Sequence, residues 1–191
     1  MTELHLLNPE TDPERRAQIS RLNLLSFPEE ERLDLDSIFP SSGKGEPDFW
    51  TIEEEGRFAG FFMVRRSGKI VYIAYFAVEP ALRGRGIGSR ALRRLTALYP
   101  DCQTVVDFEA PDSRCPNNGE RVKRRNFYLR NGFFPTGWYQ FYMQNEFEIA
   151  SASPEFDKPA YDAFIAEMHA RYPDFDPHPY RKDGGQGGAA G

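Results

Sequence analysis

Two cysteines, Cys102 and Cys115, are all that the 191 residues hold. So few thiols, with no short metal-type spacing between them, exclude a disulfide framework and point to a reduced setting in which both stay unpaired. The three histidines, His5, His169 and His178, are too scattered to assemble a local zinc motif, so no metal is expected. No apolar run approaches the ~20 residues a membrane helix requires, and MTELHLLNPETDPERR lacks an apolar signal core. The expectation is a soluble, cytoplasmic chain with no membrane partner. A basic surplus is lacking too. With 24 Lys and Arg against 29 Asp and Glu the net charge is −5, which argues against a nucleic-acid partner, because phosphate neutralisation needs a basic surface. The acidic balance mildly favours cationic partners such as amines and serves solubility equally well.

What is present fits a soluble globular protein of one domain: 40% hydrophobic and 28% charged residues, enough for a sizeable core. Leu4 to Leu7 reads as a first strand. Asp12 before Pro13 then opens an amphipathic helix through Ile19, Leu22 and Leu25. PEEERLDLDSIF suggests a second short helix, and PSSGKGEP a loop. From Asp48 the texture turns to strands between tight turns (DFWTIEEEG, RFAGFFMVRRSG, KIVYIAYFAVEP), an expected antiparallel meander. A helix comes next, with Ile87, Ala91, Leu92, Leu95 and Leu98 on one face. Then come the strand TVVDFEA, a helix from about Gly119 to Asn131 that Gly132 ends, and a hairpin of TGWYQFYMQ and EFEIAS. A last amphipathic helix carries Tyr161, Phe164, Ile165, Met168 and Tyr172, a core stripe. The tail GGQGGAAG is expected to be disordered. This order is mixed α/β around one sheet.

The chemistry concentrates in ALRGRGIGSR, residues 81–90, where three glycines and three arginines lie between a strand and a helix. A dinucleotide fingerprint is one reading, with Asp107 and Glu109 near where a ribose-binding acid would stand. The third glycine of G-x-G-x-x-G would fall on Ser89, however, and five residues separate the strand from Gly84. A nucleoside-triphosphatase loop fails because no Gly-Lys-Ser/Thr comes after it. The third reading fits better: Arg83-x-x-Gly86-x-Gly88 resembles the pyrophosphate loop of the GCN5-related N-acetyltransferase (GNAT) family. Glycines let successive N–H groups point into one concavity, and the helix N-terminus adds partial positive charge. A second signature, Phe127-Tyr128-Leu129-Arg130-Asn131-Gly132-Phe133, is similar to the end of that family's later helix, and the two stand in the family's order. The resemblance covers about residues 48–147.

The resemblance implies a GNAT-like fold: α/β (α+β), a mixed, mostly antiparallel central sheet flanked by helices. It implies a single domain over residues 1–183, with 184–191 as tail. It further implies an acetyl-CoA-dependent N-acetyltransferase acting on a primary amine of a small molecule or peptide. Gly84, Arg85, Gly86, Ile87, Gly88 and Ser89 would supply pyrophosphate donors, Arg83 would add charge, and Phe76, Ala77 and Val78 would hold the pantetheine arm. Tyr128 occupies the general-acid position. An alkyl ammonium, with a pKa near ~10, must lose a proton before it attacks. Glu109 is the preferred base, with a structural or substrate-holding role as its alternative; the run Glu53, Glu54, Glu55 reads more naturally as a solvated strand end. Tyr75 and Tyr139 are acceptor-pocket candidates. The family commonly has Asn and Ala where this chain has Arg121 and Arg124, and the arginines of 121–130 read as a solvated face. A non-catalytic acyl-CoA sensor is the competing function, and the oligomeric state stays open, a homodimer included.

Overall fold

The computed structural model describes residues 1–41, 47–142, 144–173 and 175–182. Residues 42–46 of the expected PSSGKGEP loop and the GGQGGAAG tail lie outside the described residues. The chain forms two compact units, Met1–Thr104 and Val105–Gly191.

In the first unit, β1 (Thr2–Leu6), β2 (Asp48–Glu54), β3 (Arg57–Ser67) and β4 (Ile70–Val78) pair in that order, each antiparallel to the next. This is the meander that the period-two texture implied. Helix α1 (Pro13–Ser26) starts where Asp12 accepts the Arg15 amide at 2.9 Å, satisfying a first-turn donor that the helix itself cannot. It packs against β3 and β4. Its buried stripe runs through Ile19, Leu22 and Asn23, not Leu25, which is 59% exposed. Asn23 faces inward because its amide grips both polar groups of Leu33, accepting the Leu33 N–H and donating to its carbonyl. The expected second helix is broken. A 3-10 turn at Glu29–Glu31 precedes the short α2 (Leu35–Ile38), which is capped by Asp34 through Ser37. Leu7, Ile19, Leu22, Phe39, Phe49, Phe61 and Met63 form the core of this unit. Helix α3 (Ile87–Leu98) contacts β1 and buries Ile87, Ala91, Leu92 and Leu95; Leu98, in the last turn, is exposed.

In the second unit, β5 (Gln103–Glu109), β6 (Phe134–Tyr142), β7 (Asn145–Ser151) and β8 (His178–Arg181) run in the order β5-β7-β6-β8, all pairs antiparallel. Strand β8 carries no sequence signal, being four residues, HPYR, without alternating apolar positions. Helix α4 (Asn118–Arg130) lies between β5 and β6 in sequence, and α5 (Lys158–Arg171) comes after β7. α5 buries Tyr161, Phe164, Ile165 and Met168 as its stripe requires. The Tyr161 hydroxyl donates to Gln140, which bonds Asp107, so the polar atoms under this helix are satisfied. No helix among the described residues is long and apolar enough to cross a membrane.

Candidate functional site

The first group of site residues lies at the end of β4. The strand carries a bulge: Met63 faces Tyr75 while Val64 faces Ile73, so Ala74 has no opposite number. A bulge bends its strand and re-aims the residues beyond it. Those residues include Phe76, Ala77 and Val78, opposite Phe62, Phe61 and Gly60. The approach of β3 is so close there that a Cβ on Gly60 would sit 2.2 Å from the Ala77 carbonyl oxygen. The Phe76 ring stacks on Phe62 with centroids 4.3 Å apart. Tyr75, the acceptor-pocket candidate, donates its hydroxyl to the Glu31 carbonyl at 2.9 Å.

Beyond β4 the chain makes one 3-10 turn at Pro80–Leu82 and enters the glycine loop. Arg83 points back to the strand, its Nε donating to the Val78 carbonyl at 3.0 Å. It is a brace for the loop. Gly84 and Gly86 take φ of +78° and +73°, the left-handed region that L side chains rarely enter, and Gly86 caps α3 without any side-chain bond. Gly88 is already helical. Among the described residues, none of the backbone N–H groups from Gly84 to Ser89 donates a hydrogen bond. A row of unpaired amides at a helix N-terminus, with the positive end of the helix dipole behind it, fits an anionic group. Arg90, which carries no motif signal of its own, secures this arrangement. Its guanidinium donates to the Arg85 carbonyl at 3.1 Å and to Thr2 Oγ1 at 2.7 Å, and lies 3.2 Å from Glu54. Glu53 pairs with Arg15 at 2.5 Å, so two of the three consecutive glutamates are engaged and do not form a solvated strand end.

The second group lies on β5 and α4. Tyr128 is 6% exposed, parallel to Phe108 with centroids 5.3 Å apart and edge-on to Phe127 and Phe133. The aromatic packing that one sequence reading gave Tyr128 is present. Among the described residues its hydroxyl has no hydrogen-bond partner. Burial pushes its pKa well above the ordinary tyrosine value, and the nearby Arg124 charge offsets only part of that. The phenol therefore stays protonated at ordinary pH.

Glu109, on the same strand as Phe108, is buried against Arg121, with Oε1 2.6 Å from that guanidinium. Its Oε2 is 3.3 Å from Arg124 and 3.5 Å from Asn117. Arg121 also donates to Asn117 Oδ1 at 2.9 Å, to the Ala110 carbonyl and to Asn145. This corrects the solvated-face reading for Arg121, which is 6% exposed and surrounded by acceptors, whereas Arg124 and Arg130 are exposed. Arg125, one turn on from Arg121, reaches Glu148 at 2.7 Å. Cys102 and Cys115 are free thiols. No group of His, Cys, Asp or Glu among the described residues is placed to hold a metal ion.

Comparison with known proteins agrees with the glycine loop and the Tyr128 helix. Residues 45–135 match the family model for the acetyltransferase (GNAT) domain. No curated protein matches the chain. Among solved structures, a protein assigned to the GNAT acetyltransferases, from Bacteroides thetaiotaomicron, is 22% identical with a TM-score of 0.72, covering 88% of this chain and 96% of its own. The aminoglycoside 6'-N-acetyltransferase of Enterococcus faecium is 14% identical with a TM-score of 0.60, covering 81% and 99%. A GNAT-family acetyltransferase from Elizabethkingia anophelis with acetyl-CoA bound is 13% identical with a TM-score of 0.56, covering 78% and 96%. At these identities the structures share a fold, the mixed and mostly antiparallel one that the two motifs implied, while the domain match carries the assignment: residues 45–135 form an acetyltransferase (GNAT) domain.

Proposed function

We propose that the chain transfers an acetyl group from acetyl-CoA to a primary amine of a small molecule or peptide. The observation that carries this reading is the row of unpaired amides from Gly84 to Ser89 at the head of α3. These N–H groups would hold the cofactor's pyrophosphate, while Phe76, Ala77 and Val78 would line the pantetheine arm. Arg83 serves the loop rather than the anion, because its guanidinium already closes on Val78. Arg85, which is exposed, is the arginine free to approach an anionic group.

Acetyl-CoA supplies the acyl group as a thioester, activated for attack by an amine. Tyr128 holds a proton at its hydroxyl across the physiological range and gives it to the departing sulfur. Glu109 takes the holding role, not the base, because both of its oxygens are engaged by guanidinium groups. The ammonium proton of the acceptor then passes to water before attack. The aminoglycoside-acetylating relative and the one with acetyl-CoA bound support an amine acceptor and this donor.

Thermal unfolding tests the donor. At a hundred times Kd, CoA and acetyl-CoA should stabilise the fold by about 2.7 kcal/mol, a rise of roughly 5–10 °C for a chain of this size. Stabilisation by NAD or ATP with none by CoA would overturn the assignment. Thiol release across a panel of amines then identifies the acceptor. With a competent amine, Tyr128→Phe should lower turnover about a hundredfold or more while CoA still stabilises the protein; unchanged turnover would remove Tyr128 from its role.

A further inference from the structure

A cavity of about 440 Å³ opens in the second unit between α4, the end of β5 and the strands β6 and β7, lined by Arg125, Asn126, Tyr139, Glu148 and Lys182. Of its α4 residues, Val122 and Asn126 lie roughly 100° or more around the helix axis from Arg121, Arg124 and Tyr128, and Arg125 stands between the two sets, about 40° from Arg121. Glu148 is 2% exposed, and its two oxygens differ. Oε2 accepts from Arg125 Nε at 2.7 Å, whereas Oε1 is buried without a partner. A buried carboxylate oxygen left unpaired is costly, so this atom calls for an N–H donor. Among the described residues, the Tyr139 hydroxyl and the Asn126 amide are likewise without hydrogen bonds.

The charges around Glu148 narrow what can supply that donor. Arg125 lines the same space, and Lys182 stands 4.4 Å over the Tyr139 ring while paired to Glu146. A plain cation that satisfied Glu148 would face these two positive groups, and a plain anion that met them would face the carboxylate. A ligand bearing both signs at short separation satisfies all three. Ala110, Pro111 and Val122 give the remaining wall an apolar lining that suits a small side chain. A volume in this range holds a small molecule.

We propose that this cavity binds a free α-amino acid, its ammonium on Glu148 Oε1 and its carboxylate toward Lys182 and Arg125. The site is independent of the acetyl-CoA reading, so binding is measured on the full chain without any CoA. Calorimetric titration with glycine and a set of L-amino acids, each beside its decarboxylated amine and its deaminated acid, should give saturable binding by at least one amino acid. Both truncated analogues should then bind about tenfold more weakly or worse, as expected when a charged hydrogen bond is lost. Glu148→Gln should abolish binding. Because that buried substitution could unfold the chain, Lys182→Ala and Tyr139→Phe provide the second check, each weakening binding several-fold with the fold retained. Absence of binding by every amino acid at about 10 mM, far above a useful Kd, would overturn the proposal. So would binding that Lys182→Ala and Tyr139→Phe leave unchanged, or a crystal structure showing a water on Oε1 that amino acids do not displace.

Discussion

Gly86→Ala separates the backbone of the glycine loop from its charge. The residue has φ +73°, and an added Cβ would lie 3.1 Å from Arg90 Nη1. Holding an L residue in the left-handed region costs about 1–2 kcal/mol. The contact adds to that, because Arg90 cannot move freely: the same guanidinium bonds the Arg85 carbonyl and Thr2 and lies beside Glu54. Gly84→Ala is the matched control, with φ +78° but open space around the added carbon. Both variants should therefore lose about 1–2 kcal/mol, a few degrees in Tm at this length, with Gly86→Ala the worse. Binding should part them further. If the loop relaxes toward ordinary helix geometry, the amides of Gly86 to Ser89 turn from their common direction. Each charge-assisted hydrogen bond so lost costs about 1.5–3 kcal/mol, which predicts a CoA Kd at least tenfold higher. Calorimetric titration with CoA, beside urea unfolding, reads the two effects separately. A folded Gly86→Ala protein that binds CoA as tightly as the parent would refute the amide row as the pyrophosphate site.

Gly60→Ala should destabilise by about 3 kcal/mol, the upper end for overpacking, because its Cβ would meet backbone, the Ala77 oxygen, rather than a yielding side chain; a urea midpoint within error of the parent would show that β3 can retreat. Glu109→Gln should cost about 3 kcal/mol by leaving Arg121 buried without its carboxylate, and adding Arg121→Met should restore much of it; a large fall in turnover at unchanged stability would instead return Glu109 to the role of base. The raised pKa of Tyr128 keeps the phenol in its acid form above the ordinary tyrosine value of about 10. No loss of turnover near that pH should trace to it, and an alkaline limb there that Tyr128→Phe abolishes would contradict the burial argument.

Much of the frame was legible because it is local. Asp12 before Pro13 caps a helix through its own neighbours, and the meander from Asp48 shows in period-two alternation. The glycine loop was readable since two positive φ values demand glycine at fixed spacing. What escaped depends on partners distant in sequence. The bulge opposite Met63 is a mismatch of register between two strands, and neither strand announces it alone. Leu25 looks like a core residue from periodicity, yet Asn23 is the one buried, because Leu33 supplies both of its hydrogen bonds. Strand β8 exists by pairing with β6, and its four residues would predict nothing without that edge.

Arg121 and Arg124 show why a departure from a family pattern makes sense only together with its surroundings. A buried guanidinium is tolerable only where carboxylate and carbonyl groups absorb its donors. Arg121 has Glu109, Asn117, the Ala110 carbonyl and Asn145 arranged around it, drawn from β5, the turn before α4 and the start of β7. An asparagine at that position would leave Glu109 buried with one cation, Arg124, itself half in solvent. Arginine at 121 and glutamate at 109 therefore require each other. Glu148 Oε1, on β7, is by contrast buried and lacks a partner. Among the described residues, then, the buried carboxylate oxygen without a partner belongs not to Glu109 but to Glu148, which lines the cavity.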